Sequence, residues 1–115
     1  MSSVVVLILH DLRRFEEVLA AWHDAGAAAT TILEALGTRD PREQARREDL
    51  PLLPSIRDLL HADDAPRRII FSVVPEETVE PLVQATEGVL GDLAEEGNGI
   101  LFVLPVARTV GIRGQ

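Results

Sequence analysis

Val4-Val5-Val6-Leu7-Ile8-Leu9, followed at once by His10-Asp11 and then by Leu12, Phe15, Val18, Leu19 and Trp22, is the stretch that decides the fold. The first six residues are apolar and rich in β-branched side chains, the pattern of a short strand buried on both faces. Asp11 is placed to N-cap a helix whose apolar positions recur every three or four residues, and Gly26 offers a left-handed stop. One side of that helix must therefore cover a sheet.

The same theme returns further along. Arg67 to Val74 carries Ile69-Ile70-Phe71-Ser72-Val73-Val74, again a strand. Thr78 can cap a helix with Pro81 in its first turn and Val79, Leu82, Val83, Thr86 and Leu90 as its inner stripe. Between the two units, Ala29 to Leu36 has strand character at Thr30-Thr31-Ile32-Leu33 and is broken by Gly37. After the second helix, Gly97-Asn98-Gly99 turns into Ile100-Leu101-Phe102-Val103-Leu104, a strand that Pro105 ends or moves to a sheet edge. Residues 38–66 form a long insertion. Arg39, Arg42, Arg46 and Arg47 are interleaved there with acids, and a Leu-rich segment near Ser55 to His61 suits one helix. The order is α+β, a ferredoxin-like βαββαβ unit with an antiparallel sheet and the insertion between strands 2 and 3, and the expectation is a single domain over residues 1–115.

Composition narrows the function. With 115 residues, 46% apolar and only three Phe, one Trp and no Tyr, the core must be mostly aliphatic. A net charge of −8 repels phosphate backbones and anionic membranes, so no nucleic acid is expected as partner. All 11 basic residues are Arg, which excludes Schiff-base chemistry and a phosphate-loop lysine. The absence of Cys excludes disulfides, thiolate catalysis and Cys-ligated zinc. No basic leader precedes Val4 and no run is long enough to span a bilayer, which predicts a cytoplasmic protein with no membrane span.

His10-Asp11 has the makings of an acid–base or metal pair, and helix capping by Asp11 is the simpler reading. His23 and His61 lack ligand spacing to it, so neither a metal nor a catalytic residue is assigned. The Leu50, Leu52, Leu53, Ile56, Leu59 and Leu60 series in the insertion docks onto the protein itself or onto a partner.

The segment Gly97-Asn98-Gly99-Ile100-Leu101-Phe102-Val103-Leu104-Pro105-Val106, running on to Gly111-Ile112-Arg113-Gly114, resembles the end of the nitrogen-regulatory PII signalling family, and the likeness extends over both strand–helix units. The resemblance implies a homotrimer and a non-enzymatic signalling role. It also implies a small-molecule effector bound between subunits, an adenine nucleotide or another small anionic metabolite, and an unidentified protein partner gripped by the 38–66 loop. It places Thr31, Gly37, Gly97, Asn98, Gly99 and Arg113 as ligand-binding residues. Ile100 stands where the family keeps a phosphate-binding lysine, Gly111 replaces an arginine and Ala29 replaces a glycine beside the adenine. Two lost charge-assisted phosphate contacts at roughly 1.5–3 kcal/mol each weaken ATP binding by orders of magnitude. The alternative is a structural or interaction trimer that has lost nucleotide binding.

Overall fold

The computed structural model describes residues 1–36, 66–95 and 97–112. Among these residues, four strands and two helices are laid out as β1 (Ser2–Leu9), a 3-10 turn (Leu12–Arg14), α1 (Phe15–Ala25), β2 (Thr31–Leu36), β3 (Pro66–Pro75), α2 (Glu76–Leu90) and β4 (Ile100–Val106). The sheet runs β2-β3-β1-β4 with every neighbouring pair antiparallel, the ferredoxin-like arrangement expected from the order of elements. The helix expected near Ser55 to His61 lies outside the described residues.

Both helices lie on one face of the sheet, and alternation along each strand decides what they cover. Val5, Leu7 and Leu9 of β1 and Ile70 and Val74 of β3 point under the helices and meet Val18, Trp22 and Leu82 in a core from which water is excluded. Trp22 is held there by its indole N–H, which donates to the Thr86 hydroxyl at 2.8 Å, and Thr86 in turn donates to the Leu82 carbonyl at 2.7 Å. A buried indole without a partner would be costly, so this pair fixes how α1 crosses α2.

Several local expectations change. β1 is buried on one face only: Val4, Val6 and Ile8 are half-buried, and among the described residues both helices lie on the other side of the sheet. Asp11 does act as a cap, but of the 3-10 turn, accepting from the Arg13 backbone N–H at 3.1 Å, and the α-helix proper begins at Phe15. Gly26 ends α1 as expected, at φ 115, with its N–H on the His23 carbonyl. β2 starts at Thr31 rather than Ala29, and β3 reaches back to Pro66, the last residue assigned to the insertion.

Thr78 is not the cap of the second helix. α2 starts at Glu76, whose N–H is taken by the Met1 carbonyl at 3.0 Å, so a neighbouring strand end replaces a side-chain cap. Glu76 and Glu77 then sit in the first turn, where the helix dipole favours acids. Pro81 consequently falls inside the helix, where its missing N–H removes a bond to the Glu77 carbonyl. The stripe is nearly as expected: Leu82 and Thr86 are buried, and Val79, Val89 and Leu90 pack around them. Finally, β4 continues through Pro105 to Val106, and the proline is accommodated because β4 is an edge strand.

Candidate functional site

The candidate ligand residues fall at two places on the sheet. Thr31 opens β2 and pairs with Phe71 of β3. β3 runs on through Ser72 to Pro75 beyond the start of β2, which leaves a notch at this edge. The notch is a cavity of about 480 Å³ walled by Ala28, Ala29 and Thr31 on one side, Phe71, Ser72 and Val73 as floor, and Gly111 and Ile112 of the segment after β4 on the other. Ser72 is buried and its hydroxyl donates to the Ala29 carbonyl at 2.5 Å, pinning the 28–30 connection against β3.

Gly97, Asn98 and Gly99 lie at the opposite edge, in the connection from α2 to β4. The described part of that connection is closed by its own polar groups. The Gly91 N–H donates to the Glu87 carbonyl at 2.9 Å, the Leu93 N–H to the Glu87 carboxylate at 3.1 Å, and the Ala94 N–H to the Asp92 carboxylate at 2.9 Å. The Asn98 side-chain amide donates to the Asp92 carbonyl at 2.7 Å, so its amide serves the loop itself. Gly99 has φ 115, and a Cβ there would stand 2.9 Å from the Ile8 carbonyl oxygen; only glycine lets the chain turn this close to β1 before entering β4. Gly97-Asn98-Gly99 thus turns the chain into β4.

Gly97 and Asn98 face a second cavity of about 440 Å³, shared with Asp11, Arg13, Arg14, Glu17 and Leu90. Its cations are already engaged. The Arg13 guanidinium donates to both Asp11 carboxylate oxygens, at 3.0 and 3.2 Å. Arg14 donates to the Val89 carbonyl at 2.5 Å and stands 3.7 Å from Glu17. The hydrogen bonds from Arg13 hold the Asp11 carboxyl below its usual range, and the same contact raises Arg13. Asp11 is therefore a fixed anion, poorly suited to proton transfer at neutral pH.

Thr31 and Gly97–Gly99 are not brought together within one chain. β2 and β4 are the two outer strands, three strand spacings or about 14 Å apart. Gly37 and Arg113 lie outside the described residues. Sequence reasoning missed Phe71, Val73 and Ile112 as walls of the notch. The available signal was the buried-face serine in Ile70-Phe71-Ser72-Val73, which marks Phe71 and Val73 as sharing the other face.

A third feature sits where β2 ends and β3 begins. Leu12, Glu34, Leu36, Pro66 and Arg68 help line a hollow of about 260 Å³, and the Arg68 guanidinium lies 4.3 Å from the centre of the Phe15 ring. This contact joins the start of β3 to the start of α1 at the end of the sheet next to the insertion.

Among the described residues, a four-stranded antiparallel sheet backed on one face by two helices, with a Gly-x-Gly turn leading into its edge strand, defines a ferredoxin-like α+β protein. The chain matches the model of the nitrogen regulatory protein P-II family over residues 2–115 and belongs to that family. Its members are regulatory signalling proteins, typically trimeric, and not enzymes. No curated protein matches the chain. Among the described residues, no helix is long and apolar enough to cross a membrane.

Proposed function

We propose that this chain is a cytoplasmic, non-enzymatic PII-type regulator that binds a small-molecule effector in a cleft between neighbouring subunits of a homotrimer and contacts a partner protein through residues 38–66. The observation that carries the reading is the separation of Thr31 and Gly97–Gly99 onto opposite edges of one sheet. A head-to-tail ring sets the β2 edge of one subunit toward the β4 edge of the next and so unites the two halves. Gly37 and Arg113, each next to a described edge segment, complete the ligand set in this reading.

The uncovered face of the sheet supports association. Register places Leu33, Phe71, Val6 and Phe102 on that one face, with Ile69, Ile8 and Ile100 beside them, and Ile100, Phe102 and Leu104 are 52%, 40% and 50% exposed in the single chain. An apolar surface of this continuity is normally covered by protein.

A second reading, a trimer that has lost nucleotide binding, is favoured by Ile100 at the lysine position and by the engagement of Arg13 and Arg14 with acids and a carbonyl. Sedimentation of the purified protein, combined with a thermal-shift screen against adenine nucleotides, cyclic dinucleotides and bicarbonate, separates the two. A ligand at 100 times its dissociation constant adds about 2.7 kcal/mol. A trimer stabilised by one compound, with the shift lost in Arg113→Ala, supports the regulator. A trimer indifferent to every compound favours the structural reading, and a monomer refutes both.

A further inference from the structure

We propose that the 3-10 turn Leu12–Arg14 is a conformational coupler, which ties the place where the chain leaves β2 and enters β3 to the Gly97–Gly99 turn at the other edge of the sheet. The device lies within one chain, so it stands whether or not an effector occupies a cleft between subunits.

The first ground is placement. Leu12 lines the hollow of about 260 Å³ whose walls include Leu36, the last residue of β2, and Pro66 and Arg68 at the start of β3. Its neighbours Asp11, Arg13 and Arg14 line the cavity of about 440 Å³ shared by Gly97 and Asn98. Successive residues of one tight turn therefore serve two hollows, and a rotation of the turn alters both.

The second ground is an unbroken run of contacts on either side of the turn. The Arg68 guanidinium lies 4.3 Å from the ring centre of Phe15, the residue that closes the turn and whose N–H donates to the Leu12 carbonyl. On the other side, Arg14 donates to the Val89 carbonyl in the last turn of α2. That last turn has no basic residue of its own, so Arg14 supplies the cation that a helix C-terminus favours. Leu90, the next residue, lines the cavity with Asn98, and its side chain stands 3.9 Å from where a Cβ on Gly99 would be.

The third ground is that the turn has a second arrangement within reach. The Arg14 N–H now donates to the Asp11 carbonyl, three residues back, at 3.1 Å. Passing to the α-helical pattern hands that carbonyl to the Phe15 N–H and changes the rotation per residue from about 120° to about 100°. The Asp11 carboxylate, which accepts from the Arg13 N–H, can cap either form.

Residue-resolved hydrogen exchange of the full-length protein tests this. The Arg13 and Arg14 N–H groups are bonded within the turn, and those of Gly91, Leu93 and Ala94 within the connection from α2 to β4. Arg68→Gln removes the cation over Phe15. Exchange should quicken by roughly two- to fivefold at Arg13 and Arg14 and also at Gly91, Leu93 and Ala94, while Val5 and Trp22 keep their rates. With Arg14→Ala already in place, the same substitution should leave the three distant amides unmoved. Asn98→Ala, which breaks the bond to the Asp92 carbonyl, should in turn quicken exchange at Arg13 and Arg14. Distant amides that ignore Arg68→Gln, or a turn that ignores Asn98→Ala, overturn the coupler because nothing is transmitted. Acceleration spread evenly over Val5 and Trp22 as well overturns it as a global loss of stability. Equal transmission with and without Arg14 overturns the assignment to this turn.

Discussion

At the scale of single residues, two positions are set by close contact. Gly99→Ala would force a Cβ to within 2.9 Å of the Ile8 carbonyl at a φ that L-residues avoid, so the turn into β4 must shift. We expect a loss of about 1–3 kcal/mol in chemical denaturation. Thr86→Val keeps the shape but strips the acceptor from the Trp22 indole, leaving a buried donor unpaired. A loss of about 1–3 kcal/mol is expected, visible in the fluorescence of this sole tryptophan during unfolding. Asp11 offers a pH test. Its carboxyl is held below the usual range chiefly by Arg13, so the pairing stabilises the fold above the ordinary carboxylate pKa and is lost as pH falls through the lowered value. In Arg13→Ala, the Asp11 titration followed by NMR should move up toward the ordinary range. Of these residues, Gly99 and Asp11 were legible as turn and cap from their type and position. The Trp22–Thr86 bond was not, since it joins residues 64 positions apart.

At the scale of elements, each described strand and helix was legible as to its kind, and apart from the one-sided burial of β1 the errors collect at the ends. The start of α2 shows why. Threonine followed by an amphipathic run is a sound local signal, yet the helix starts three residues earlier, with the Met1 carbonyl taking its first N–H, and Pro81 falls in its interior. A local reading has no access to a cap supplied by the far end of the chain. Pro81→Ala should restore the bond to the Glu77 carbonyl and raise the thermal midpoint, with a gain of about 1–3 kcal/mol. An unchanged or lowered midpoint would mean that the proline is accommodated without loss. β4 teaches the converse: Pro105 signalled an edge strand, and an edge strand it occupies, next to Ser3 of β1.

At the scale of the whole molecule, the uncovered apolar face is the main determinant of behaviour. Phe102→Asp places a charge near its middle, opposite Val6, without touching the helix-covered core. Sedimentation should show association weakened by at least about tenfold, while Trp22 fluorescence stays native-like. An assembly that withstands the change would show that this face is not the subunit interface, and would remove the main support for a cleft between subunits.

What the amino-acid sequence determined by itself was the kind and order of the elements, because period, turn glycines and β-branched runs act over a few neighbouring residues. It also marked the family, because the segment from Gly97 to Gly114 keeps its order of residue types. Only the tertiary structure decided which face of β1 is buried, since that depends on both helices choosing the same side of the sheet. It alone separated Thr31 from Gly97–Gly99 and set Phe71, Val73 and Ile112 around the former, because strand order and the return of the chain after β4 bring together residues that no local pattern relates.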